Sequence, residues 1–149
     1  MGLKYKKILV AVDGSMEAEW AFKKAIEIAK RNNAKLILAH VVDTRSFAAM
    51  EAYNMTMSDR AESFAAELTE KYKQEAAASG MPDIEIAVDY GSPKVKIPKD
   101  IAYKYDLDLI ICGATGLNAV ERLLIGSVSE HITRSSPCDV LVVRTQQDE

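Results

Sequence analysis

Five short stretches of the chain are apolar without strict alternation, and between them apolar residues recur at helical spacing. The first, over 8–12 (Ile8-Leu9-Val10-Ala11-Val12), suits a strand covered on both faces. Asp13-Gly14-Ser15 turns the chain, Ser15 is a good helix cap, and Ala18, Ala21, Phe22, Ala25, Ile26 and Ala29 form one stripe that runs to about Arg31. Asn32 and Asn33 end it. The second strand covers 36–42. Ser58 is placed to cap a helix carrying Ala61, Phe64, Ala65, Leu68 and Tyr72, closed by Gly80 and Pro82. Strand three covers 84–88. Ser92-Pro93 enters a further helix, in which Pro98 demands either a late start or a kink. Strand four covers 107–112, a helix begins over 128–133 and stops by Pro137, and strand five covers 140–143 (Val140-Leu141-Val142-Val143). The tail Gln146-Gln147-Asp148-Glu149 frays.

Apolar strands alternating with amphipathic helices predict an α/β domain, a mostly parallel sheet with helices on both faces and right-handed crossovers. With 149 residues and neither an internal repeat nor a linker, 1–149 is one domain with room for its own core. The connection over 43–58 is long for this architecture and contains Phe47, Met50, Tyr53, Met55 and Met57. It is either a loop packed on the body or a flap or interface segment.

Charge narrows the partners. Against 19 Lys plus Arg stand 22 Asp plus Glu, a net charge of -3, so extended nucleic acid is not expected. No apolar run approaches a membrane span, and the start of the chain lacks a secretory pattern, so the expected location is cytoplasmic. Cys112 and Cys138 fall near opposite ends of neighbouring strands and are expected to stay reduced.

The candidate chemistry lies after strands one and four. In open parallel sheets, ligands bind outside the carboxyl ends of strands where the connection order reverses. If strands one and four are central neighbours, Asp13 and Gly113 face one crevice. Gly113 and Gly116 would let the backbone approach a ligand and adopt positive φ, exposing amides to oxyanions. Gly126-Ser127 opens a helix whose first-turn amides and Ser127 hydroxyl suit phosphate. The competing interpretation is that these glycines only permit turns and Ser127 only caps the helix. Neither a phosphate-loop Gly-x-x-x-x-Gly-Lys-Ser/Thr nor a dinucleotide Gly-x-Gly-x-x-Gly is present. No catalytic residue and no metal site is assigned: His40 is expected in the core or at a strand end, His131 on the helix after Ser127, and Lys94, Lys96 and Lys99 on a solvated surface.

Taken together, Ile8 to Ser15, the spacing Gly113-x-x-Gly116-nine-Gly126-Ser127, Ser127 to Ile132, and Ser136-Pro137-Cys138-Asp139 with the strand that follows resemble the universal stress protein family over essentially the whole chain. The glycine spacing resembles the signature of that family's ATP-binding branch. The resemblance implies a Rossmann-like, adenine nucleotide hydrolase-like fold, with a five-stranded parallel sheet in the order 3-2-1-4-5 and a homodimer. It places adenine on Val12, Asp13 and the backbone around Val41, ribose and phosphate on Gly113 and Gly116, and phosphates on Gly126, Ser127 and Val128. Asp13 would touch the ribose or help place a divalent ion; its alternative role is a local turn cap. The expected ligand is ATP, with AMP the second choice, and Mg²⁺ carried by the phosphates. Trp20 and Pro98 depart from the family pattern, Trp20 being a packing or interface residue.

In the implied order the strand over 140–143 is an apolar edge, which pairing with a symmetry mate would cover. The expected function is a nucleotide-responsive regulator acting on a protein partner that the sequence does not identify. The alternatives are a slow ATP phosphohydrolase and a structural or interaction dimer that binds no nucleotide.

Overall fold

The computed structural model describes residues 4–43, 56–114 and 125–144, without the side chains of 56–58. Gly116, the greater part of the long connection and the C-terminal tail lie outside the described residues.

Five parallel strands form one sheet: β1 (Lys7–Ala11), β2 (Lys35–Asp43), β3 (Glu85–Gly91), β4 (Leu109–Gly113) and β5 (Asp139–Val143). Their order is β3-β2-β1-β4-β5, as the family resemblance implies. β1 is central, with Val10 opposite Leu38 of β2 and Ile111 of β4. The chain therefore winds one way from β1 to β3 and the other way from β4 to β5. Right-handed crossovers then put the helices of the two halves on opposite faces.

Helices α1 (Met16–Asn32) and α2 (Thr56–Ala78) cover one face. The stripe expected for α1 is buried in full, with Phe22 tilted against Tyr72 of α2 at 4.6 Å between ring centroids. Ile8, Val10, Leu36 and Leu38 complete this layer. Trp20 packs on its margin, with the Lys23 ammonium 5.2 Å from its ring centre. Leu9, Ile37, Ala39, Val41 and Ile110 point to the opposite face, as strand alternation requires. There they meet α3, over 93–105, and α4 (Ser127–Ser135).

Several boundaries move from their sequence expectations. α2 starts at Thr56, so Ser58 lies inside its first turn. β3 runs on to Gly91 because β2 continues beside it to Asp43. β4 starts at Leu109, and Asp108 before it accepts the Lys6 and Lys7 amides at 2.8 and 2.9 Å. Pro98 neither delays nor simply breaks α3. The helix begins at Pro93 and widens into a π turn over Lys96–Ile101, where the Ala102 amide donates to the Ile97 carbonyl, before resuming over Ala102–Tyr105. The wider turn accommodates a ring that would strike the preceding turn of an α-helix and that offers no amide hydrogen. Pro98 is buried there.

Candidate functional site

β1 and β4 lie side by side, so the turns that follow them share the carboxyl edge of the sheet. After β1, Asp13 Oδ1 accepts the Ser15 amide at 2.9 Å, and Ser15 Oγ accepts the Ala18 amide at 3.1 Å. These bonds make a closed turn and a capped helix start. Asp13 thus fills the local turn role, with its side chain half-buried. Gly14 takes φ +89°, a conformation that favours glycine, and a Cβ there would lie 2.9 Å from the tip of the Phe64 ring.

Gly113 belongs to β4, paired with Val143, and its φ is not positive. Its need for glycine comes from packing: a Cβ would lie 2.7 Å from Glu17 Cβ and 2.9 Å from the Glu17 carbonyl carbon, in the first turn of α1. The sequence expectation of a positive φ at Gly113 is corrected accordingly. The close approach it allows is between the two turns, which draws the end of β4 against the start of α1.

From Ala114 the backbone is held on both sides. Its amide donates to Val143 at 2.8 Å, and its carbonyl accepts the Gly126 amide at 2.7 Å. Gly126 occupies the cap position of α4 in extended conformation (φ -67°, ψ 159°), and as a glycine it has no side chain with which to cap the helix. Ser127 is the first helical residue and is exposed, so it is not the cap. The first backbone bond of the helix runs from the Glu130 amide to the Gly126 carbonyl at 2.9 Å. The amides of Ser127, Val128 and Ser129 precede it and form the positive end of the helix. Ser129, buried, donates its hydroxyl to the Gly113 carbonyl and fastens α4 to the end of β4. His131 Nδ1 lies 3.3 Å from the Ser127 carbonyl on the exposed side of α4.

β2 supplies a further polar edge. The Val12 amide donates to the Ala39 carbonyl at 2.9 Å, so the backbone groups of Ala39 face β1, and by strand alternation so do those of Val41. β1 has ended by then, whereas β2 continues to Asp43. A longer ladder would bring the Val12 carbonyl to the Val41 amide. Instead that carbonyl accepts from His40 Nδ1 at 2.9 Å, and since a carbonyl only accepts, Nδ1 carries the proton. Among the described residues, Val41 therefore presents one donor and one acceptor to the gap beyond β1. His40 is buried, as expected of a core or strand-end residue.

Among the site residues named from sequence, Val12, Asp13, Val41, Gly113, Gly126, Ser127 and Val128 all fall at this edge of the sheet, and Gly116 lies outside the described residues. Sequence reasoning missed Ser129, His40 as the partner of Val12, and Phe64. Phe64 sits on the apolar stripe of α2 yet is 45% exposed.

Both cysteines are free; burial pushes the Cys112 thiol up to about 11, and burial together with the nearby Asp139 and Asp108 carboxylates pushes the Cys138 thiol up to about 11. Lys96 lies near Asp100 and Asp89 at 3.3 and 3.8 Å, in keeping with a solvated surface. Among the described residues no cluster of three or more His, Cys, Asp or Glu side chains could hold a metal, and no helix is long and apolar enough to cross a membrane.

The universal stress protein family model matches residues 4–144. A protein of Staphylococcus saprophyticus that bears the universal stress protein name is 52% identical over 145 residues, covering 97% of this chain and 87% of its own length. The universal stress protein UspA from Lactobacillus plantarum superposes with a TM-score of 0.83 at 32% identity, covering 96% of this chain and all of that one. A universal stress protein solved in complex with cAMP superposes with a TM-score of 0.71 at 29% identity, covering 96% and 99% of the two chains.

Proposed function

We propose a function for this chain from the fact that it belongs to the universal stress protein family: it binds an adenine nucleotide, ATP before AMP, across the crevice between β1 and β4, and acts as a nucleotide-responsive regulator. The observation that carries this reading is the uncapped start of α4 at the same sheet edge as the open backbone of Val41. Phosphate oxygens suit the amides of Ser127, Val128 and Ser129 together with the Ser127 hydroxyl. The Val41 carbonyl and amide suit the amino group and a ring nitrogen of adenine. The cAMP-bound relative is an adenine nucleotide complex on the same fold and supports the same ligand class.

Asp13 stands between these ends, half-buried, with one carboxylate oxygen engaged by Ser15. Its second oxygen suits a ribose hydroxyl or the hydration shell of a phosphate-carried Mg²⁺, a cation that keeps several waters and needs no protein cage. Gly116, by its place in the glycine spacing, belongs to the ribose and phosphate side of the same ligand.

The reading is binding before turnover, and the regulated step is engagement of a protein partner. β5 is an apolar edge strand with Val140, Leu141 and Val142 partly buried, and its pairing with a second copy would form a homodimer with two crevices. Native mass spectrometry of freshly purified protein tests ligand and assembly together. Two chains carrying two ATP masses is the expected result. A protein that stays empty when ATP and Mg²⁺ are added overturns the nucleotide reading, and a monomer at all concentrations overturns the dimer.

A further inference from the structure

Phe64 is a large aromatic residue left 45% exposed on an otherwise core-facing stripe, and it stands over the turn that begins the crevice. Two neighbours fix it. Its ring tip occupies the place a Gly14 side chain would need, 2.9 Å from the ideal Cβ position. Its ring stands edge-on to His40, 5.9 Å between centroids. His40 in turn bonds the Val12 carbonyl where β1 ends. Phe64, His40 and Gly14 therefore form an aromatic shoulder beside the open backbone edge of Val41.

A flat ring hydrogen-bonded to that edge continues the plane of the sheet, so its two faces look toward the two helix layers. Phe64 projects from α2, in the layer above His40 and Gly14. We infer that Phe64 is the side chain that contacts the nucleobase, covering one face of the ring and giving the site its preference for a base over a bare polyphosphate. This rests on the nucleotide-binding reading above and adds a specificity residue to it. It also explains Gly14 twice over: the turn needs a positive φ, and the space beside it is taken by the aromatic ring. The phosphate end of the ligand lies on α4, across the crevice, so the two contributions separate experimentally.

The test is calorimetric titration of the full chain with ATP and, separately, with inorganic tripolyphosphate, on wild type, Phe64→Ala and Phe64→Trp. Loss of one base–aromatic contact weakens binding on the order of tenfold or more. The expected result is such a loss for ATP with Phe64→Ala, no change for tripolyphosphate, and retained ATP affinity with Phe64→Trp, whose fluorescence ATP quenches and tripolyphosphate does not. Equal ATP affinity in Phe64→Ala and wild type overturns the assignment. So does a parallel loss for both ligands, which would make Phe64 a structural residue. If Phe64→Ala does not fold, Phe64→Trp decides, because a tryptophan signal that ignores ATP at saturation also overturns it. Wild type that binds neither ligand overturns the nucleotide reading itself.

Discussion

At the start of α1, Ser15 caps the Ala18 amide and Asp13 holds the Ser15 amide, so two amides of that turn are bonded by the chain's own side chains. At the start of α4, on the same edge of the sheet, the cap residue is Gly126, which has no side chain to close the helix. The two regions share position and helix polarity and differ in whether the chain supplies its own acceptor. A helix that brings its own cap gains stability and offers little to an anion, whereas one capped by glycine leaves its amides to an outside partner. Ser129 sharpens the contrast. It anchors α4 through the Gly113 carbonyl, so the helix is held in place without using the donors at its tip.

Converting one helix start into the other gives the largest expected effect. Gly126→Asp places a carboxylate where a phosphate is proposed to sit, and the backbone there, at φ -67°, accepts a side chain. Calorimetry should show ATP affinity falling by about a hundredfold or more, while the melting temperature holds or rises because aspartate is a good cap. Gly113→Ala comes next. Its Cβ would collide with the Glu17 backbone in the first turn of α1, and overpacking of this kind costs about 1–3 kcal/mol, measurable by urea unfolding. A variant as stable as wild type would contradict the packing role of this glycine.

Removing the self-made cap is the converse change. Ser15→Ala should destabilise by about 1 kcal/mol in the same unfolding measurement and leave ATP affinity within about twofold, since α1 is not the proposed phosphate end. The smallest effect concerns the two thiols, Cys112 buried on β4 and Cys138 partly buried just before β5. With the Cys112 and Cys138 thiols pushed up to about 11, roughly one in a thousand is ionised at pH 8. Alkylation of the folded protein should therefore be slow at that pH and accelerate toward pH 11; rapid labelling of both thiols at pH 8 would count against the burial of Cys112.

The sheet was legible in the sequence because buried parallel strands are short apolar runs, and the α1 stripe from Ala18 to Ala29 matches its buried face residue for residue. What pattern could not convey was how ends are finished. Pro98 signals that an α-helix cannot pass unchanged, yet the answer, a π turn, depends on how the rest of α3 is held against the sheet. Gly113 was visible as a required glycine, while the reason for it, Glu17 from a distant stretch of chain, exists only after folding. The open edge of Val41 depends on β1 stopping before β2 does, a difference in strand length that apolar runs of similar character do not encode. Phe64 looked like core because periodicity records the direction of a side chain and not where the underlying layer ends.

The uncapped start of α4 is proposed to receive the phosphates of an adenine nucleotide. The most direct test is calorimetric titration of MgATP into wild type and Gly126→Asp under identical conditions. Wild type is expected to show one saturable site per chain, and a folded Gly126→Asp protein the large loss of affinity given above. Equal affinity in the two proteins, or no saturable heat in wild type, would contradict it.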